Sequence, residues 1–152
     1  MPDFKNTVSI VIPAFNAEHS ISKLCAELLK SFSEFKIQII IVNDCSQDKT
    51  HEECLKLSKE YSGELAYIKL SKNVGEHNAV MAGLNKCKGS YAVIMDDDLQ
   101  HSADSLLELI KFSTDKNNNY DVVYTYYDQM KYSFFRNIGR KFNNFVANLL
   151  LE

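Results

Sequence analysis

The residues Tyr91-Ala-Val-Ile-Met-Asp-Asp-Asp-Leu-Gln-His101 place three carboxylates directly after a short apolar run. Side chains alternate along a strand, so Asp96 and Asp98 leave the end of such a run on the same side. Gln100 keeps that parity if the chain stays extended. Like charges this close repel, and a hard divalent cation offsets them. Mg²⁺ or Mn²⁺ prefers oxygen ligands and leaves positions open for water or phosphate oxygens. The chemistry within reach is metal-assisted handling of a phosphate or diphosphate, with Asp96, Asp98 and Gln100 as candidate ligands. The same residues also fit a solvated acidic turn that caps the next helix.

The five apolar residues before Asp96 follow Gly89 closely and read as a buried strand. In open α/β sheets, ligands bind outside the carboxyl ends of the strands, where this cluster would sit. The rest of the chain supplies such a sheet. Val8–Ile12 is an expected strand ended by Pro13. Ile21, Leu24, Cys25, Leu28, Leu29 and Phe32 recur at helical spacing. Ile37–Val42 reads as a second strand, ended by Asn43-Asp44. A helix follows from about Asp48 to Tyr61, with Ser46 or Asp48 as its cap. Leu65–Leu70 reads as a strand, Gly75–Lys86 as a helix and Ala103–Phe112 as another. A polar loop at Asn117–Asn119 leads to an expected strand at Asp121–Tyr126. Alternating strands and helices predict an α/β fold with a mainly parallel sheet.

Length and composition narrow the class. The chain has 152 residues, 45% apolar and 24% charged, with a net charge of −3. That is one domain with a real core, and no global basic excess points to nucleic acid. No apolar run reaches the roughly 20 residues of a membrane span, and no signal peptide is evident. Cys25, Cys45, Cys54 and Cys87 form no Cys-x-x-Cys pair and read as reduced thiols of a cytosolic protein. Zinc at Cys45, His51 and Cys54 would need a non-standard spacing. No Gly-x-Gly-x-x-Gly or Walker motif occurs, which counts against dinucleotide enzymes and P-loop NTPases. A homo-oligomer is compatible with the sequence.

The chain divides into residues 1–130, a core, and residues 131–152, which differ. Lys131–Leu151 holds Lys131, Arg136, Arg140 and Lys141 and no acidic residue. Phe135, Ile138, Phe142, Phe145, Val146 and Leu149 fall on one helical face. Such a helix suits an anionic membrane surface or a packing partner elsewhere in the protein. The pattern stops without a helix stop signal, and Leu151-Glu152 matches a common cloning junction. The sequence therefore reads as a catalytic piece of a longer protein.

Three expected strand ends carry polar or aromatic residues that a parallel sheet brings to one rim: Pro13-Ala14-Phe15-Asn16, Asn43-Asp44 and Asp96-Asp97-Asp98. There Phe15 can stack on a flat base, and Asp44 can accept hydrogen bonds from a base or ribose. Asp96 and Asp98 can hold a metal on a diphosphate. The plainer roles are core packing for Phe15 and helix capping for Asp44. His77 and His101 fit hydrogen-bonded structural histidines, and Gly75 and Gly83 fit a helix start and close packing.

Taken in order, Val8–Asn16, Ile41–Thr50, Asn73-Val-Gly75 with Ala79 and Gly83, Gly89-Ser-Tyr and Met95–His101 resemble the family 2 glycosyltransferases of GT-A fold. The resemblance spans roughly residues 7–151. Asp96-Asp-Asp-Leu-Gln-His101 and Phe135-Arg136…Gly139…Phe142…Asn148-Leu-Leu narrow it to a polyprenyl-phosphate, dolichol-phosphate-mannose-synthase-like group. The resemblance implies a Rossmann-like GT-A sandwich and an inverting, metal-dependent hexosyltransferase of cell-envelope synthesis. Its donor would be a nucleoside-diphosphate sugar, UDP-linked in preference to GDP-mannose. Its acceptor would be a lipid phosphate, and its location the inner face of the cell membrane. It further implies that Pro13, Ala14, Phe15, Val42, Asp44, Asn73 and Gly75 bind the nucleotide, with Asp96, Asp97 and Asp98 at sugar-nucleotide and metal. Gln100 would complete the metal ligands and Arg136 would meet the acceptor phosphate. Ala17, Asn43, Cys45 and Ala103 depart from the family pattern.

Other functions share single features. A saccharide hydroxyl acceptor would require a carboxylate base, and a non-catalytic sugar-nucleotide-binding fragment would keep the site alone. A haloacid-dehalogenase-like phosphatase normally carries its Asp-x-Asp after the first strand. A calcium loop of the EF-hand type lacks its Gly and Glu here.

Overall fold

The computed structural model describes residues 7–32, 35–100, 102–115, 117 and 120–125. Four strands and four helices alternate: β1 (Thr7–Ala14), α1 (Ile21–Ser31), β2 (Lys36–Asn43), α2 (Thr50–Glu60), β3 (Leu65–Lys69), α3 (Glu76–Leu84), β4 (Tyr91–Ile94) and α4 (Ala103–Thr114). The strands form one parallel sheet in the order β3-β2-β1-β4.

The sheet is covered on two faces, which is why β1 and the end of β2 are nearly unbroken apolar runs. Val8, Ile10, Ile12 and Ala14 of β1 face a core made with Ile21, Leu24, Cys25 and Leu28 of α1, Cys54 and Leu57 of α2, and Leu106 and Ile110 of α4. Val11 faces the other way, with Ile40, Val42 and Ala79 of α3. α3 lies close to the sheet because Gly83 has no Cβ. One placed there would press on the Val11 side chain and lie 3.1 Å from Val42 Cγ2.

The register carries strand ends to one rim. Ala14 pairs with Asn43, Asn43 with Lys69, and Val11 with Ile94. Phe15, Asp44 and Asp96 therefore follow the ends of adjacent strands. β1 runs two residues past its expected end at Ile12, through Pro13. The β4 ladder stops at Val11, so the proline's missing N–H falls where only β2 still runs alongside.

At the opposite end, Ser9 ties the turn before β4 to the sheet. Its fully buried hydroxyl donates to Gln38 Oε1 at 2.8 Å and accepts from Lys88 N at 3.2 Å and Gly89 N at 3.0 Å. Ser9→Ala deletes the hydroxyl and takes this acceptor from Gly89 N, while Lys88 N keeps Gln38 Oε1 at 3.0 Å. The expected loss is about 1–3 kcal/mol, read from urea unfolding.

Two expectations are corrected. Residues 121–125 are not a strand, and Tyr126 lies outside the described residues. Val122 and Tyr124 are 63% and 87% exposed, and among the described residues no strand pairs with them. An isolated strand has no partner for its backbone groups, whatever its side-chain pattern. In addition, α2 starts at Thr50, and Ser46 does not cap it. Asp48 Oδ1 accepts from Thr50 N at 3.0 Å, while the Ser46 hydroxyl is used across the rim.

Candidate functional site

A cavity of about 420 Å³ opens at the rim. The end of β1 and the residue after it contribute Pro13, Ala14 and Phe15; the residue after β2 is Asp44; the loop into α3 and its first residue give Asn73, Gly75 and Glu76; and the segment after β4 gives Asp96, Asp97 and Asp98. Its size is that of a small-molecule site.

Phe15 is 48% exposed, so its ring is a cavity wall and not core. Its backbone N–H donates to Asp97 Oδ2 at 3.2 Å, which joins the β1 and β4 rims. The loop after it is tied to the loop after β2. Asn16 N donates to Ser46 Oγ at 3.0 Å, and Gln47 N donates to Asn16 Oδ1 at 2.9 Å. Ala17 N donates to Thr50 Oγ1 at 2.7 Å, Glu18 N to Asp48 Oδ2 at 3.1 Å, and Lys49 N to Glu18 Oε2 at 2.8 Å. Asn16 and Cys45 sit at φ +56° and +60°, the left-handed region that side chains other than Gly rarely occupy. The cross-ties offset that cost and hold the wall in one shape.

Asp44 is 4% exposed, and its carboxylate holds backbone. Val74 N donates to Oδ1 and Gly75 N to Oδ2, each at 2.8 Å. This fastens the entry of α3 to the rim, with Gly75 at φ +86° making the turn. Helix capping of α2 is therefore not its role. It lines the cavity while its oxygens organise the opposite wall.

Asp96 and Asp98 are exposed at the cavity and Asp97 is half-buried. Burial, then the charges of Asp98 and Asp96, push the Asp97 carboxyl above its ordinary value despite the Phe15 N–H. A folded-state pKa raised above the unfolded one means the native chain holds that proton more tightly. This contribution is lost as pH rises through the raised value. Asp97→Asn keeps an acceptor for Phe15 and removes the charge. Its stability advantage over the wild type, without metal, should grow as pH rises from the ordinary carboxylate range and then level off, in paired urea titrations.

Among the site expectations, two side chains lie elsewhere. Val42 is fully buried against α3, because the alternation of β2 turns it toward Val11 and Ala79. Gln100 is not in the cavity wall. Leu99 adopts φ +60° and Gln100 N folds back to Asp98 Oδ1 at 3.0 Å, so the extended parity assumed for Gln100 ends at Asp98. Arg136 and His101 lie outside the described residues. The zinc alternative disperses: Cys54 is in the core and His51 Nδ1 is 2.8 Å from the Tyr67 hydroxyl. Burial pushes the Cys25 and Cys54 thiols up to about 12, which makes them inert. Sequence reasoning missed Glu76, the first residue of α3; its position one residue past Gly75 was the available signal.

The donor set is oxygen-rich. Among the described residues, five carboxylates and no Lys or Arg form the wall. No three His, Cys, Asp or Glu side chains among the described residues converge as a complete metal cage. Asp96 and Asp98 fit a hard cation that takes its remaining ligands from a bound diphosphate and water.

The architecture is shared with solved glycosyltransferase structures. The mannosyltransferase PcManGT from Pyrobaculum calidifontis, solved with GDP-Man and Mn²⁺, superposes with a TM-score of 0.64 at 20% identity, covering 76% of this chain and 34% of that one. TarS 1–349 of S. aureus, solved with UDP-GlcNAc, gives 0.59 at 19% identity, covering 83% and 38%. The fold is GT-A. Among curated relatives, the undecaprenyl-phosphate 4-deoxy-4-formamido-L-arabinose transferases of Photorhabdus laumondii and Edwardsiella ictaluri are 32% and 31% identical over 139 and 140 residues. Those alignments cover 90% of this chain but 42% of each relative's length. The family model described as glycosyl transferase family 2 matches residues 9–151. With that match over a parallel α/β core and a carboxylate-lined rim, the chain belongs to glycosyl transferase family 2.

Proposed function

We propose that this chain forms the donor-binding part of an enzyme that moves a sugar from a nucleoside diphosphate to a polyprenyl phosphate. The observation that carries it is one cavity joining an exposed aromatic ring, Phe15, to the Asp96/Asp98 pair across neighbouring strand ends. Phe15 stacks on the base, and the rim at Asp44 and Asn73 faces the nucleoside. Among the described residues, five carboxylates line the cavity without a basic residue; they repel a bare diphosphate, so the diphosphate enters with a cation. Asp96 and Asp98 would hold Mg²⁺ or Mn²⁺, which neutralises charge on the leaving diphosphate. A phosphate oxygen of the acceptor attacks the anomeric carbon. The new C–O bond forms as the bond to the diphosphate breaks, and the nucleoside diphosphate leaves with the electron pair. A single displacement of this kind inverts the anomeric centre. The acceptor is already largely ionised near neutrality, with a second pKa of about 6, so it needs positioning and not a general base.

The relatives' names identify undecaprenyl phosphate as their acceptor, and that supports a lipid phosphate here. A UDP-sugar is the favoured donor and GDP-mannose the alternative. Arg136, in the basic 131–151 segment, would balance the acceptor phosphate at the inner membrane face. No helix among the described residues is long and apolar enough to cross a membrane. Each basic residue near an anionic surface contributes on the order of 1 kcal/mol, screened by salt. In the full-length enzyme, Arg136→Ala with Arg140→Ala should cut transfer to lipid phosphate by about tenfold or more while donor affinity stays within about twofold. Equal transfer by the double variant would remove this segment from the acceptor site.

The test of the reaction is a full-length transfer assay with radiolabelled UDP- and GDP-sugars, Mn²⁺ and polyprenyl phosphate. The expected product is a lipid-phosphate-linked sugar. Transfer only to a saccharide hydroxyl would replace this reading, with Glu76 then the wall carboxylate nearest in type to a base.

A further inference from the structure

Behind the cavity runs a hydrogen-bonded chain whose members do not line it. His51 Nδ1 on α2 lies 2.8 Å from the Tyr67 hydroxyl on β3, and the two rings stand 5.7 Å apart. Asn43 Nδ2 donates to that hydroxyl at 3.0 Å. Asn43 Oδ1 accepts from Ser46 N at 2.8 Å, and Ser46 Oγ accepts from Asn16 N at 3.0 Å. The chain thus starts on α2, crosses β3 and β2, and ends on the residue after Phe15. Along the way it grips Asn43, the residue before Asp44.

Proton accounting fixes the Asn43 end of this chain. The Asn43 amide must present its oxygen to Ser46 N–H, so its NH₂ faces Tyr67. The phenol oxygen accepts that hydrogen bond, and its second bond, to Nδ1 of His51, runs in the direction set by the imidazole tautomer. Asn43 is fully buried, so each of its two bonds has no water to replace it. The loop it holds contains Cys45 at φ +60° and abuts Asn16 at φ +56°. Two left-handed residues flank the cavity, and they keep that shape only while the surroundings enforce it.

We infer that Tyr67, backed by His51, is a positioning residue for the nucleotide site. Through Asn43 and Ser46 it holds Phe15 and Asp44 at the spacing a nucleoside requires. The inference rests on the nucleotide-site reading above. It assigns to Tyr67 no contact with ligand. It differs from a packing role, because the ring of Tyr67 and its place in β3 survive removal of the hydroxyl.

The test is calorimetric titration of UDP with Mn²⁺ into the 152-residue chain as wild type, Tyr67→Phe and His51→Phe. Tyr67→Phe keeps the ring and removes both bonds. Its Kd should rise roughly tenfold, with stoichiometry unchanged at one, as the net worth of one hydrogen bond is passed to ligand affinity. His51→Phe keeps a ring against Tyr67 and removes the terminal ring nitrogen, for a rise of about threefold. A Tyr67→Phe chain that binds with wild-type Kd would overturn the inference, and so would one whose stoichiometry drops at unchanged Kd, since that is only misfolding. If Tyr67→Phe fails to fold, His51→Phe decides by the same two readouts. Wild-type chain that binds no UDP under these conditions would instead overturn the nucleotide-site reading on which this rests.

Discussion

Asp98→Ala is expected to weaken Mn²⁺-dependent nucleotide binding by more than about a hundredfold, the scale on which even the supporting residues of metal sites act. Asp98 is exposed at the cavity, and Gln100 N at 3.0 Å is the backbone group it holds. Its removal therefore exposes no buried group, and the unfolding free energy should stay within about 0.5 kcal/mol of wild type. Affinity and stability separate cleanly here, which makes the experiment sharp. A variant that binds as well as wild type would move the metal away from Asp98.

Asp44→Ala should behave in the opposite way. This side chain is buried and accepts from Val74 N and Gly75 N. Bonds to a charged acceptor are worth more than neutral ones, and Val74 N would lose its acceptor while Gly75 N would keep only Asn73 Oδ1 at 3.2 Å. The expected loss is on the order of 3 kcal/mol, with amide exchange at Val74 and Gly75 accelerated. Nucleotide affinity should fall too, because the wall from Asn73 to Glu76 loses its anchor. Stability equal to wild type would show that the anchor is not what holds α3 at the rim.

The sequence revealed some of this arrangement and hid the rest for physical reasons. The eight elements of the described core were legible in the alternation of apolar strands with helices, but β4, expected as a buried strand, leaves Tyr91 40% and Ile94 53% exposed, because among the described residues it pairs on one side only. The rim positions of Phe15, Asp44 and Asp96 follow once those strands are parallel and adjacent. Gln100 shows where such reasoning fails. Parity holds only while the backbone stays extended, and the left-handed turn at Leu99 is a local event that Leu does not advertise. Val42 lies inside β2, two residues before Asp44, and it is covered by α3 beside Val11 and Ala79, so a motif spanning both positions brings only the residue past the strand end into the cavity. The cross-ties among Asn16, Ser46, Asp48 and Thr50 were hidden because each joins residues about thirty positions apart. Side-chain acceptors of this kind look like ordinary caps until the loops are brought together. The strand expected at Asp121–Tyr126 had the right residues, but pairing decides strands and side-chain pattern alone does not.

The central claim is that the rim cavity takes a nucleoside diphosphate together with a divalent cation held by Asp96 and Asp98. Isothermal titration of UDP, and in parallel GDP, into this chain with Mn²⁺ and then with excess EDTA tests it most directly. The account predicts one nucleotide bound per chain in Mn²⁺, and a loss of that binding in EDTA and in Asp98→Ala alike. Nucleotide bound with the same affinity in EDTA as in Mn²⁺, or no nucleotide bound in either, would contradict it.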